Sequence, residues 1–512
     1  MRHAIAALLL AAPATAGAQD GGPTLPVADP YYIDGEAALA ARHAVKPITK
    51  RAKNVILFVA DGMDPTTVAV TRIYDGQSRG ETGEENYLSF ERFPYLAMSK
   101  TYNTNAQTPD SAGTMSAMVT GVKTKAGVLS VTDEANYGDC ASSLAARALT
   151  LGELSENAGM ATGVISTARL THATPGAVYS HTPSRDWESD SDLTEEAQTH
   201  GCKDIARQLI EFPFGDGLEV AMGGGRSNFL TAETADPEYP ERKGRRRDGR
   251  DLTKEWTGKS PAHAYVWNKS EFEKVDPAAG PRVLGLFEVS HMQYETDREA
   301  DGAGEPSLAE MTSKAIDILS KDRDGFFLMV EGGRVDHAHH AGNAARALRD
   351  TQAFAEAVAL ARAKTNEKDT LIVVTADHGH TLAFQGYPKR GNPILGLATS
   401  IPGGEGAASD GPALAADGKP YTTLVYANGP GSVFHGEVDG GQRPAPTEAE
   451  VADPSYRQQA LIPSSSETHG GQDVTIYASG PRAYLFSGVV EQSYIFHVIN
   501  DALNLTKRAG AE

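Results

Sequence analysis

Val55-Ile56-Leu57-Phe58-Val59-Ala60 runs without a polar break into Asp61-Gly62-Met63-Asp64. A continuous apolar and β-branched stretch, rather than an alternating one, marks a strand covered on both faces. Phe326–Val330 and Thr370–Thr375 read the same way, and Thr162–Ser166 and Glu219–Met222 are weaker strand candidates. Helical periodicity lies between them at Ser111–Val119, Ser143–Ala158, Leu308–Leu319 and Asn343–Ala363. This alternation predicts an α/β fold, a doubly wound and mostly parallel central sheet flanked by helices. Residues 51–505 read as one large domain. From about Gly386 to Pro446 glycine and proline are dense and periodicity fades, which predicts an inserted surface lobe. Residues 19–50 read as an N-terminal arm with a short helix around Glu36–His43, and 506–512 as a tail.

The three strong strands each end in acids and histidines. The first delivers Asp61, the second Glu331, Asp336, His337 and His340, and the third Asp377, His378 and His380. Ligands of open parallel sheets bind beyond the carboxyl ends of the strands. Carboxylates gathered at one rim repel unless cations hold them. Taken singly, each is as well read as a cap or a solvated loop residue; three strands together favour a metal centre. Asp336 and His340, four apart, share a helical face. Asp377 and His378 pair a carboxylate with an imidazole, a nitrogen and oxygen set suited to zinc. Glu331 and a shared Asp61 offer oxygen alone, which suits magnesium. His469, in Glu467-Thr468-His469-Gly470, is the candidate for a distant further ligand.

Thr108-Pro109-Asp110-Ser111-Ala112-Gly113-Thr114 leads into a helix of small residues. Ser111 then sits at a helix N-terminus, where backbone N–H groups favour an anion. The plain alternative is that Asp110 and Ser111 are ordinary caps. A serine without a histidine partner can still be activated by a metal.

Forty per cent apolar and 22% charged residues in 512 are ordinary globular values. The formal charge of −20 becomes −21 once Arg2 leaves with a signal peptide read at residues 1–18, cleaved after Ala16-Gly17-Ala18. Such acidity argues against nucleic-acid or anionic-membrane partners. The basic cluster Arg242–Arg250, broken by Gly244 and Gly249, reads as a solvated loop. With no membrane-length apolar run and no hydrophobic C-terminal tail, the expectation is a periplasmic or secreted protein. Cys140 and Cys202 are then expected to form one disulfide, closing a loop worth about 4 kcal/mol in the chain-entropy model.

These residues resemble the alkaline phosphatases, in particular the animal tissue form, from about Asn54 to Asn500. The resemblance is carried by Asp110-Ser111-Ala112, Thr171–Pro175, His181–Trp187, Glu331–His340, Thr375–His380 and Glu467–Gly470. It implies hydrolysis of small phosphate monoesters through a phosphoserine at Ser111, with two zinc ions and one magnesium. Asp336, His340 and His469 would hold one zinc; Asp61, Asp377 and His378 the other. Asp61, Thr174 and Glu331 would hold magnesium, with His172 acting through water. Arg185 would grip the phosphoryl oxygens, and His337 and His380 would support the ligands. The enterobacterial branch has Asp and Lys where this chain has His172 and His337. The animal form also carries calcium, at positions matching Glu238, the Phe287 carbonyl, Glu288 and Glu305; the alternative is that these glutamates are surface charge. A homodimer is implied by the resemblance alone. Rival readings are a phosphodiesterase or sulfatase on the same rim, or a non-catalytic metal- or phosphate-binding protein.

Overall fold

The computed structural model describes residues 25–401, 411–433 and 443–511. The expected signal peptide lies outside them. Residues up to Lys46 and from Pro47 onward are separate units. The first holds a helix at Pro30–Ala44, longer than the Glu36–His43 expectation. Asp29 caps it by accepting from the Tyr31 N–H, and Pro30 occupies its first turn, where the missing N–H costs nothing.

In the second unit the strands in chain order are β1 (Asn54–Ala60), β2 (Tyr95–Lys100), β3 (Ala161–Arg169), β4 (Val220–Gly224), β5 (His263–Val266), β6 (Arg282–Leu286), β7 (Phe326–Gly332), β8 (Thr370–Thr375), β9 (Gly379–His380), β10 (Leu382–Phe384), β11 (Leu424–Gly429), β12 (Ala460–Pro463), β13 (His469–Gly470), β14 (Val474–Ser479) and β15 (Val489–Glu491). Ten of them form one sheet in the order β15-β2-β14-β8-β1-β7-β3-β4-β6-β5. Only β14 runs against the rest. The doubly wound expectation therefore holds. Val55, Leu57 and Val59 enter the core on one face of the sheet, and Ile56, Phe58 and Ala60 the core on the other. That two-sided burial is why β1 has no polar position, and each large side chain so buried contributes about 1.5–3 kcal/mol.

The expected helices recur at Ser111–Thr120, Leu308–Leu319 and Ala344–Lys364. Ser143–Ala158 is a correction: it is two helices, Cys140–Ala145 and Leu151–Asn157. The break is made by Thr150, whose hydroxyl accepts from the Glu153 N–H while the Glu153 carboxylate accepts from the Thr150 N–H. The lobe is also wider than 386–446. Its three-stranded sheet, β10-β11-β12, draws strands from Leu382 to Pro463. Cys140 and Cys202 form the expected disulfide, packed against Trp187.

Candidate metal centre and active site

β8, β1 and β7 are neighbours in the sheet, and Val59 is in register with both Thr375 and Glu331. Asp61, Glu331 and Asp377 therefore emerge side by side at one rim, and all three are fully buried. Gly62 permits the crowding. Its φ is +77°, and a Cβ there would lie 2.4 Å from the His380 ring.

His469 reaches this rim from nearly a hundred residues away through a two-residue ribbon, in which it pairs directly with His380. His469 Nε2 lies 3.0 Å from His340 Nε2 and 3.4 Å from Asp336 Oδ1. His340 Nε2 is 3.3 Å from the same carboxylate oxygen. The protonation of the two rings explains why this matters. His340 Nδ1 donates to the Glu467 carbonyl at 2.5 Å, and His469 Nδ1 donates to the Pro109 carbonyl at 2.8 Å. Both Nε2 atoms thus turn lone pairs toward an anionic oxygen. Three acceptors converging on one point call for a cation, and ligand atoms about 2 Å from a tetrahedral zinc stand just over 3 Å apart.

A second convergence adjoins the first. His378 Nε2 lies 3.3 Å from Asp61 Oδ1 and from Asp377 Oδ2, and 3.1 Å from Ser111 Oγ. Among the described residues no N–H or O–H donates to either oxygen of Asp61, and one oxygen of Glu331 is equally bare. Burial, then the neighbouring Asp336, pushes the Asp61 carboxyl well above its usual range. Burial likewise lifts Glu331 to about 8 and raises Asp377. Burial holds His378 and His172 neutral, well below the ordinary imidazole range. Buried carboxylates without donors beside neutral imidazoles fit divalent cations in both donor number and chemistry. Asp61, His172 and Glu331 form a third group whose ligand atoms lie within 4.8 Å of one another, with the Thr174 hydroxyl beside Glu331.

Asp336 is held well below the carboxylate range: burial opposes its charge, but the surrounding histidines, of which His380 donates directly to Oδ1, outweigh burial. His380 sits between Asp336 Oδ1 at 3.0 Å and Glu467 Oε2 at 2.6 Å. Burial disfavours its charge too, yet these two acids push it up to about 10, so it stands as an imidazolium at neutral pH.

Ser111 opens its helix, and Asp110 caps it by accepting from the Gly113 N–H at 3.1 Å. The other Asp110 oxygen takes Arg185 Nη1 at 3.3 Å and the Gly127 N–H at 2.9 Å. Arg185 Nη2 donates to His172 Nε2 at 3.1 Å. The cap and the guanidinium thus share one carboxylate. His337 packs against His172, their ring centroids 5.5 Å apart, and burial together with Arg334 lowers it to about 3.

The acidic group apart from this rim comprises Glu238, Glu288 and Asp301. Glu305 adjoins it; one of its oxygens accepts from the Gln293 N–H and the other has no partner among the described residues. These acids are not scattered surface charge, for Glu288 and Glu305 are 3% and 2% exposed. Sequence reasoning missed Asp301, which lies in an irregular loop with no signature. It also missed the part played by Glu467, whose placement two residues before His469 could have suggested a partner. His291 was missed as well; its ring lies 4.0 Å from that of His337.

The family model for alkaline phosphatase matches residues 52–505. The tissue-nonspecific alkaline phosphatase of Mus musculus is 42% identical over 480 residues, covering 92% of this chain and 88% of its own. The same isozyme of Gallus gallus is 43% identical over 484 residues, 92% and 89% of the two chains. Among solved structures, Thermus thermophilus alkaline phosphatase superposes with a TM-score of 0.62 at 25% identity, covering 90% of this chain and 93% of its own. The alkaline phosphatase of the Antarctic bacterium TAB5 shares the fold, with a TM-score of 0.58 at 22% identity over 89% and 99% of the two chains. With nearly the whole second unit matched, and with the rim built as described, the chain belongs to the alkaline phosphatase family, whose chemistry is the hydrolysis of phosphate monoesters.

Proposed function

We propose that Ser111 is the nucleophile of a two-step phosphate monoester hydrolysis, and that three cation sites lie at the rim. The observation that carries this reading is Ser111 Oγ, 3.1 Å from His378 Nε2 and at the N-terminus of a ten-residue helix. Asp336, His340 and His469 would hold one zinc, Asp61, Asp377 and His378 a second, and Asp61, Thr174 and Glu331 a magnesium with His172 nearby. Divalent ions bound there would supply Lewis-acid charge that eases deprotonation of a neighbouring hydroxyl and neutralises oxygens where negative charge develops.

In the first step Ser111 Oγ attacks phosphorus as the ester P–O bond breaks. The alcohol leaves with the serine proton, and a phosphoserine forms. In the second step water attacks that phosphorus, releasing inorganic phosphate and restoring the serine. Arg185 is suited to donate to two phosphoryl oxygens from its planar fork while Asp110 accepts from its Nη1 and fixes the guanidinium. The N–H groups opening the Ser111 helix add partial positive charge on the same side. His380, charged between Asp336 and Glu467, holds the Asp336 carboxylate in its ligating position. All these contacts end at the phosphoryl group, so many alcohols should serve as leaving groups.

Calcium suits the Glu238, Glu288, Asp301 and Glu305 group, an all-oxygen set in which Glu238, Asp301 and Glu305 each keep a bare buried oxygen. The Cys140–Cys202 bridge supports an oxidising compartment, periplasmic or extracellular. No helix among the described residues is long and apolar enough to cross a membrane. Phe384, Ile401, Leu414, Leu461 and Ile462 are exposed on the lobe and support burial there in a homodimer.

The test is to quench the native enzyme in acid during turnover of nitrophenyl phosphate and map the label. A phosphorylated peptide containing Ser111 is expected; label elsewhere, or none, sinks the reading. Activity on the monoester should exceed that on bis-nitrophenyl phosphate and nitrophenyl sulfate, and chelator should abolish it.

A further inference from the structure

The motif His181-Thr182-Pro183-Ser184-Arg185-Asp186-Trp187 opens on a histidine that this chemistry does not use. The His181 backbone is pinned by Gln208, which accepts from its N–H at 2.9 Å and donates to its carbonyl at 3.1 Å. Its ring is pinned as well. Nδ1 lies 2.7 Å from the Ser130 carbonyl and Nε2 lies 2.6 Å from Glu153 Oε1. A carbonyl only accepts, so Nδ1 carries a proton and donates to Ser130. Glu153 is 1% exposed and is itself anchored by the Thr150 N–H.

Ser130 is one of three described residues other than glycine with positive φ, at +49°. A left-handed serine is unfavourable by about 1 kcal/mol or more and persists only where its surroundings hold it. Here every polar group of Ser130 is held. Its N–H donates to Ser116 Oγ at 2.8 Å and its hydroxyl to the Ala177 carbonyl at 2.5 Å, while its carbonyl accepts from His181 Nδ1 at 2.7 Å and, more weakly, from the Ala148 N–H at 3.1 Å.

The strap from Gly127 to Val131 lies between the two elements that carry the reacting groups. On one side Ser130 grips Ser116, five residues along the same helix as Ser111, and the Gly127 N–H binds the Asp110 cap. On the other side Leu129 and Thr182 exchange backbone hydrogen bonds, and the Arg185 N–H donates to the Gly127 carbonyl at 2.8 Å. The position of the Arg185 backbone relative to Ser111 is therefore set through this strap, beside the direct contact of its guanidinium with Asp110.

We propose that His181 is a positioning residue for phosphoryl transfer: by donating from Nδ1 to the Ser130 carbonyl it locks the 127–131 strap, and with it the geometry of Ser111 relative to Arg185. The inference rests on the reading of Ser111 and Arg185 given above. Misplacement of about 1 Å between reacting groups can cost on the order of a hundredfold in rate, so loss of the lock should appear in turnover.

The experiment compares His181→Asn, His181→Gln and His181→Ala in the full-length, metal-loaded enzyme. His181 and Glu153 line a cavity of about 350 Å3, which gives the replacements room. An Asn amide nitrogen falls close to the position of Nδ1 and can still donate to Ser130; a Gln amide reaches instead toward Glu153. The expected kcat is within roughly threefold of the parent for Asn and at least roughly tenfold lower for Gln and Ala, with KM moving less than kcat. The inhibition constant of inorganic phosphate should rise in the same order as Arg185 loses alignment. Metal content and thermal midpoint are measured alongside, because a merely structural role predicts that Asn and Gln lose activity together and in proportion to stability. That result, a Gln variant more active than the Asn one, or an Ala variant with unchanged kcat overturns the proposal. Ser111→Ala separates the two levels: activity surviving in that variant refutes the underlying reading, whereas a failed His181 series refutes only the strap.

Discussion

Ser111 Oγ and His378 Nε2 lie 3.1 Å apart, although 267 residues separate them in the chain. Burial keeps the imidazole neutral, and its other nitrogen has no partner among the described residues. The serine hydroxyl therefore shares its surroundings with Asp61 and Asp377, the acids nearest that imidazole.

Ser111→Ala should remove the covalent step without disturbing the ligands. We expect turnover to fall by at least about a thousandfold, with bound divalent metal per chain unchanged. Elemental analysis beside a nitrophenyl phosphate assay checks both. Loss of metal together with activity would mean that the serine matters chiefly as a ligand.

Arg185→Ala should weaken phosphate binding and turnover together, by roughly ten- to a hundredfold for loss of charge-assisted hydrogen bonds. Arg185→Lys should recover little of this, since a single ammonium cannot replace a fork held at one edge by Asp110. The inhibition constant of phosphate and kcat/KM are the readouts.

Removal of metal should make stability fall as pH rises between about 6.5 and 8. Glu331 stands near 8 in the folded chain against an ordinary 4.5, so the folded state binds the extra proton and loses stability as pH climbs. His380, near 10 against 6.5, adds stability below 6.5 that fades over the same range and beyond. His172 and His378, lowered by burial, act in the opposite sense only below about 6.5. Thermal midpoints of chelated and metal-loaded protein across this range should diverge; parallel curves would contradict the account.

Reduction of Cys140–Cys202, 62 residues apart, should cost about 4 kcal/mol in the chain-entropy model. Trp187 packs on the bridge two residues beyond Arg185, so Cys140→Ser should also raise the KM for monoester. Denaturant unfolding and steady-state kinetics of that variant test the two effects separately.

Much of this is legible in the sequence. Uninterrupted apolar runs reveal strands buried on both faces, and the acids following β1, β7 and β8 mark a rim because parallel strands all end on the same side. The helix at Leu308–Leu319 was readable to the residue because its apolar periodicity begins after a serine cap with glutamate three residues on. The helix read across Ser143–Ala158 failed where a second capping box at Thr150 and Glu153 interrupts an otherwise helical composition. The family resemblance, rather than periodicity, singled out Arg185, Thr174 and the glutamates Glu238, Glu288 and Glu305. One arginine or threonine among many has no local pattern.

Composition and local order thus determined which residues form strands and helices, and which strands end in acids and histidines, since these depend on backbone sterics and on burying apolar surface. Tertiary structure alone decided the rest. It paired β9 with β13 so that His469 meets His340, joined Asp301 to Glu238 and Glu288, and set Glu467 against His380. Each is a meeting of side chains remote in sequence, and its energy comes from electrostatics and hydrogen bonding across space, which no spacing along a chain encodes.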